Sequence, residues 1–253
     1  MCRMLGVVSA SARSFALLLE QAPRSLAWLS EEHRDGWGMA LREREPRWTV
    51  HRSLQRAGED MAFHELATEL VGDLLLVHVR QKTHGPVAME NTHPFVSGRW
   101  AFTHNGKVED VAFLERELSP ARRAELHGET DSERLFAFIL TRFDADGISP
   151  VSDSGRVTES LRHVGRELAE RSGLGTASFL LSDGDTLYAF RRGAPLHLLQ
   201  RDAQDASACR DCFGSPCVAV TTEPITDEPW LPLDDGDLVR ITRGPRPRWQ
   251  RFR

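Results

Sequence analysis

The chain has almost no lysine: among 32 basic residues, only Lys82 and Lys107 are not arginine. The arginines are interleaved with aspartate and glutamate, and the formal net charge is −5. A basic surface for nucleic acid is therefore not expected. No apolar run approaches the roughly 20 residues that span a bilayer, so no membrane segment is expected. The start, Met1-Cys2-Arg3-Met4-Leu5-Gly6, lacks a long apolar stretch, which argues against a secretory leader. Four cysteines in 253 residues do not make a disulfide scaffold and fit a reducing cytoplasm. No glycine-rich loop followed by lysine is present to cradle phosphates, so ATP chemistry is disfavoured and no cofactor is expected. No internal repeat is visible.

What remains is an ordinary soluble composition, 40% hydrophobic and 27% charged, long enough to bury a real core. Residues 3–9 read as a strand. Residues 15–29 have helical spacing that Pro23 breaks. Residues 37–42 and 48–53 read as a hairpin joined by a charged turn containing Pro46. Residues 60–70 read as a helix, and 74–79 as a strand buried on both faces. A polar loop over 81–93 leads to a strand at 100–103. Helical patterns follow at 131–143 and 155–172. Short strands are expected at 177–182, 186–190, 218–222, 237–241 and 248–252. Residues 144–154 are the only linker-like stretch, and strands resume beyond it, so one domain is expected, with helices outside two stacked sheets.

Cys2 directly follows Met1. Loss of Met1 leaves one residue that carries a thiol and a free α-amine, a nucleophile beside a base titrating near about pH 8. Three polar clusters stand where strands end, the places where functional groups concentrate. In Arg80-Gln81-Lys82-Thr83-His84-Gly85, the guanidinium presents a planar fork to a carboxylate, and Thr83 adds a hydroxyl. In Thr103-His104-Asn105-Gly106, an Asn-Gly pair makes either a simple turn or an oxyanion hole from the Asn105 amide and the Gly106 N–H. In Gly128-Glu129-Thr130-Asp131-Ser132-Glu133, Thr130 and Glu133 have capping-box spacing, and Asp131 suits both a helix N-terminus and an ammonium group. A thiol with an amine, a carboxylate receptor, oxyanion donors and an ammonium receptor together match an α-amino acid with a side-chain amide, such as glutamine.

Other groupings invite different readings. Cys209, Cys212 and Cys217 have zinc-like spacing, but a structural site needs four ligands and the nearest upstream histidine is His197. A loop of thiols, with or without a regulatory disulfide, fits better, and no metal is expected. His78, His93 and His104 suggest a metal or a histidine-based triad. His78, inside an apolar strand, reads instead as a hydrogen-bonded core residue.

The order of Met1-Cys2, Asp35-Gly36-Trp37-Gly38, His78-Val79-Arg80 with Thr83-His84-Gly85, Asn91-Thr92-His93-Pro94-Phe95, His104-Asn105-Gly106 and Thr130-Asp131-Ser132-Glu133 resembles the class II glutamine amidotransferases, which are N-terminal-nucleophile hydrolases. The ending Thr222-Glu223-Pro224-Ile225-Thr226 with Trp230 is similar to the stand-alone type, so the resemblance covers nearly the whole chain. It implies an α+β fold, a four-layer αββα sandwich of two antiparallel sheets, as a single domain over residues 2–253. It implies Cys2 as nucleophile with its amine as base, and Asn105 and Gly106 as the oxyanion hole. It also implies Arg80, Thr83 and His84 around the substrate carboxylate, Asp131 on the ammonium, and Trp37 and Gly38 lining the pocket. The substrate implied is glutamine or a γ-glutamyl amide, with an ammonia-accepting synthase as a candidate partner. Two alternatives stand beside it: an acylase with the same nucleophile acting on another amide, and a silent amino-acid-binding protein.

Overall fold

The computed structural model describes residues 2–42, 47–82, 85–202 and 216–253. In chain order its strands are β1 (Arg3–Ser14), β2 (Trp37–Arg42), β3 (Trp48–Ser53), β4 (Val71–Val79), β5 (Phe95–Ser97), β6 (Trp100–Asn105), β7 (Ser178–Ser182), β8 (Thr186–Phe190), β9 (His197–Arg201), β10 (Cys217–Thr221), β11 (Leu231–Pro232), β12 (Leu238–Thr242) and β13 (Arg248–Phe252). The helices are α1 (Leu26–Leu29), α2 (Met61–Glu69), α3 (Val111–Glu117), α4 (Pro120–Ala124), α5 (Asp131–Ala145) and α6 (Ser154–Glu170). One sheet runs β11-β9-β10-β1-β4-β2-β3 and the other β13-β12-β8-β7-β6-β5. The pairings in both are antiparallel.

Strand alternation sorts the side chains into three apolar layers. Met4 and Val8 of β1 and Leu74 and Leu76 of β4 meet Leu180, Leu187, Val239 and Ile241 of the second sheet in the central layer. Leu5, Val7, Leu75, Val77 and Val79 point the other way, into a layer with Leu18, Leu19, Leu26 and Phe63 from the helical segments. Phe102, Phe179 and Leu181 pack outward against α3, α5 and α6. Both faces of each sheet are therefore covered, and β4 is apolar on both sides because neither faces water. The result is the expected αββα sandwich. Burying each Leu or Val side chain contributes roughly 1.5–3 kcal/mol, so these layers dominate the favourable side of folding.

Several elements differ from the sequence expectation. β1 runs on to Ser14, with a register shift against β4 between Val8 and Arg13. The 15–29 segment splits into a π-helical turn (Leu17–Gln21) and α1, with Pro23 between them. The Pro46 turn lies outside the described residues. β5, β9, β11, α3 and α4 carry too short a pattern to be read from periodicity. Residues 146–153 join α5 to α6, which lie together on the second sheet. The capping box is half made: Thr130 Oγ1 accepts from Glu133 N, but the Glu133 carboxylate turns back to the N–H groups of His127 and Gly128.

Side chains of the second sheet crowd Gly6, where a Cβ would lie 2.8 Å from Leu187 and 3.1 Å from Leu180. Gly6→Val should overpack the central layer and lower stability by about 1–3 kcal/mol. Denaturant titration is expected to show a lower midpoint with unchanged slope.

Candidate active site

The site forms at one end of the sandwich, where the two sheets and the start of α5 meet. Arg3 pairs with Val79 across β1 and β4, so Cys2 and Arg80 are carried past the ends of adjacent strands together. By alternation Cys2 falls on the inner face with Met4, and Arg80 falls there with His78. A cleft there is lined by Cys2, Arg80, Gln81, His93, Gly106 and Asp131, with Asn91, His104, Thr130 and Ser132 completing the wall. The free space is about 20 Å³, room for one water-sized group. Two larger hollows, about 430 and 510 Å³, lie against Arg52 and contain neither Cys2, Arg80 nor Asp131. Chemistry, rather than size, distinguishes the small cleft.

Cys2 is 8% exposed. Its Sγ sits between the Gln81 N–H and C=O, 3.3 Å from each. Burial pushes the thiol pKa up, the Gln81 backbone and Arg80 pull it down, and Asp131 raises it. Gln81 is fixed by its neighbours: Asp35 N donates to Arg80 O, Arg80 N to Gly36 O, and Lys82 N to Asp35 Oδ2 at 2.7 Å. On the other side, Met4 N donates to Thr222 Oγ1 and Thr222 N to Met4 O, while Arg3 pairs with Glu223 at 2.8 Å. The ending noted in the sequence thus anchors the residues after Cys2.

Arg80 is buried, and its Nη2 donates to Pro86 O at 3.1 Å. Burial lowers its pKa, opposed by Cys2, Asp35 and Asp131. Asp131 opens α5 one residue after the Thr130 cap. Its Oδ2 accepts from Val108 N at 2.7 Å, and its Oδ1 from Ser132 N at 2.9 Å. Each oxygen keeps further acceptor capacity, because a carboxylate offers about four lone-pair positions. Gly106 has φ +157, and a Cβ there would lie 2.3 Å from Thr176 O, so only glycine lets the chain pass.

Four sequence-nominated residues, Cys2, Arg80, Gly106 and Asp131, thus share one cleft. Asn105 lies on the inner face of β6 between two lining residues but is not itself in the wall; its Oδ1 is buried and has no partner among the described residues. Gly38 backs the cleft: a Cβ would stand 2.0 Å from His93 O, so its role is close approach of the 93–94 backbone. Trp37 corrects the sequence reading. It points outward, stacks edge-on against Phe63 at 5.1 Å and donates to Asp60 Oδ2, because alternation opposes it to its neighbour Gly38. Thr83, His84, Cys209 and Cys212 lie outside the described residues. Cys217 belongs to β10 rather than a loop, and burial pushes its thiol up to about 11.

The sequence reading gave no role to Gln81, Asn91 or Ser132, and raised His93 only as one of three histidines suggesting a metal or a triad. Gln81 acts through its backbone, which no side-chain pattern reveals. Asn91 accepts from Glu129 N and donates to Pro86 O, tying the loop after β4 to the turn before α5. His78 is the buried core residue expected. Among the described residues neither of its nitrogens has a partner at strict hydrogen-bond geometry, although the His104 backbone acts on it as a hydrogen-bond partner that raises its pKa. It stacks on His93 at 4.1 Å, and burial, then Arg80 and His104, push its pKa down to about 3. His104 points the other way, its Nδ1 2.8 Å from Ser132 Oγ. Among the described residues no cluster of His, Cys, Asp or Glu could hold a metal ion. Nor is any helix of these residues long and apolar enough to cross a membrane.

A sandwich of two antiparallel sheets between helical layers, with a thiol at its end, defines a fold shared with N-terminal-nucleophile amidotransferases. Across 99% of this chain and 99% of the other, a glutamine aminotransferase class-II domain protein from Silicibacter pomeroyi superposes with TM-score 0.66 at 20% identity. The glutamine phosphoribosylpyrophosphate amidotransferase from B. subtilis superposes over 100% of this chain and 49% of its own, with TM-score 0.66 at 16% identity. Residues 1–209 match the class-II glutamine amidotransferases, and the chain belongs to that family. It is 26% identical over 238 residues to the protein YafJ of Escherichia coli, covering 85% of this chain and 87% of that one. It is also 32% identical over 198 residues to the glutamine–fructose-6-phosphate aminotransferase of Aeropyrum pernix, covering 78% of this chain and 30% of that enzyme.

The charges around Cys2 have a measurable sign. Thiolate is the reactive form, so removing the Arg80 charge should slow alkylation of Cys2 by a neutral reagent near neutral pH, and removing the Asp131 charge should speed it. Peptide mass spectrometry of Arg80→Gln and Asp131→Asn, following the Cys2 peptide, checks both directions.

Proposed function

We propose that this chain, acting as a single domain over residues 2–253, hydrolyses the side-chain amide of glutamine or a γ-glutamyl compound, with Cys2 as nucleophile. The observation that carries the proposal is the convergence of Cys2, Arg80, Gly106 and Asp131 on one cleft. Arg80 and Asp131 offer the two opposite charges that an amino acid's carboxylate and ammonium require. This pair argues against an acylase acting on an amide with no zwitterion.

In the proposed reaction, loss of Met1 frees the Cys2 amine, which takes the thiol proton. The Gln81 N–H stabilises the thiolate as it forms. Sulfur attacks the amide carbon, and the oxygen that gains charge is met by the Gly106 N–H and by the Asn105 amide turned with its NH₂ toward it. Donors placed for developing charge are worth about 2.7–4 kcal/mol each in comparable acyl-transfer sites. The leaving nitrogen takes the proton from the Cys2 ammonium and departs as ammonia or an amine, leaving a γ-glutamyl thioester. Water then releases glutamate and restores the thiol. Arg80 holds the carboxylate, with Thr83 and His84 beside it, and Asp131 holds the ammonium. The ammonia is released or handed to a synthase partner; a panel of substituted γ-glutamyl amides, scored by kcat/KM, distinguishes a hydrolase of secondary amides from an ammonia donor.

Cys2→Ala should abolish glutamate release, and unchanged turnover in that variant would sink the mechanism. Asp131→Asn should raise KM for glutamine roughly tenfold or more, since an ammonium–carboxylate contact is worth about 1.5–3 kcal/mol. An unaltered KM removes Asp131 from its role. Intact mass of the active protein should lack Met1.

A further inference from the structure

His93 is 4% exposed, yet neither ring nitrogen has a hydrogen-bond partner among the described residues. Its neighbours in the cleft differ. Cys2, Asn91, His104, Thr130, Asp131 and Ser132 all make hydrogen bonds within the protein. A buried polar group left unpaired destabilises the fold and calls for a partner. Slack packing does not explain it, because His93 is held on its other sides. Its carbonyl oxygen fills the space left by the missing Gly38 Cβ, and Arg52 Nε donates to Pro94 O at 3.1 Å. Its ring lies between His78, 4.1 Å away, and Phe95, 4.5 Å away. What remains open to the ring is the cleft that holds Cys2, Gly106 and Asp131.

We propose that His93 faces the leaving nitrogen of the scissile amide and accepts a hydrogen bond from it through the unprotonated ring nitrogen. This rests on the amide-hydrolase reading above and adds to it a residue that reads the departing group. The ring is neutral at working pH: burial first, then the charges of His78, His104, Arg80 and Arg52, hold its pKa well below the usual range. A neutral imidazole keeps one acceptor nitrogen. As sulfur adds to the carbonyl carbon, the amide nitrogen loses its resonance, takes a proton from the Cys2 ammonium and becomes cationic. Its N–H groups then donate more strongly than in the planar amide. The C–N bond breaks, the amine leaves with its electron pair and the new proton, and His93 is unchanged. An interaction that strengthens between ground state and transition state raises kcat more than it alters KM.

The test compares His93→Phe, which keeps the aromatic packing without a nitrogen, with His93→Gln, which restores an acceptor. His93→Phe is expected to lower kcat for glutamine roughly ten- to hundredfold with little change in KM. Its thermal midpoint should equal or exceed that of the unmodified chain, since an unpaired buried polar ring has been removed. His93→Gln should recover part of the kcat. Labelling of Cys2 by a diazoketone analogue of glutamine, which has no leaving amine, should proceed at the same rate in His93→Phe. Full kcat in His93→Phe overturns the proposal, as does a kcat loss that comes with a lowered midpoint or with equally slowed labelling. Failure of the unmodified Cys2 to label at all removes the amide-hydrolase reading itself, a result distinct from either.

Discussion

The register of β1 on β4 is the constraint on which the site depends. With Arg3 opposite Val79, Cys2 and Arg80 leave the sheet side by side on its inner face. A slip of one residue in β1 would turn Cys2 to the face opposite Arg80 and bring Met4 out of the central layer. The apolar layers therefore enforce the geometry of the cleft. Leu5 and Val7 need the helical layer, Met4 and Val8 need the other sheet, and no slip by an odd number of residues satisfies both. The same packing requires Gly6, where side chains of the second sheet crowd the backbone.

Around that register the protein spends backbone groups, more than side chains, on holding the thiol. The Asp35–Arg80 and Gly36–Arg80 hydrogen bonds lock the chain at the end of β4, and the locked Gln81 peptide grips sulfur from two sides. Met4 and Thr222 do the same for the residues after Cys2. Backbone contacts are short and stiff, so they hold the thiol with little freedom to wander. The cleft is then surrounded by groups that a stability-driven core would avoid: Arg80, Asp131 and the stacked His78 and His93 are all nearly inaccessible. Polar groups buried in this way carry a desolvation cost that the apolar layers offset.

Much of this was legible in the residues before any coordinates. The hairpin of Trp37–Arg42 and Trp48–Ser53 and the strands Thr186–Phe190 and Arg248–Phe252 carry enough β-pattern to be read within their observed bounds. Cys2 stood out because it follows Met1, and Arg80, Gly106 and Asp131 because each follows a strand or opens a helix. Other features left no trace in pattern. β9 extends the sheet from β10, and the two residues of β11 extend it from β9, so both are set by pairing with a neighbour rather than by their own pattern. Trp37 was assigned to the pocket from its place in a motif, and alternation put it on the far face. Glu133 had the spacing of a capping partner, but the turn at 127–128 offered it two N–H groups closer at hand.

The sequence by itself determined the chemistry on offer: a thiol beside an α-amine once Met1 is lost, an arginine and an aspartate for opposite charges, and a glycine where a side chain cannot stand. Side-chain identity is a local property, and it can be read locally. Only the tertiary structure decided which of these groups meet, that Gln81 holds the thiol through its peptide, that His93 lines the cleft with no hydrogen-bond partner among the described residues, and that Trp37 turns away. Those outcomes follow from strand register and sheet-on-sheet packing, which depend on contacts between residues far apart in the chain, such as Cys2 with Gln81 and Met4 with Thr222.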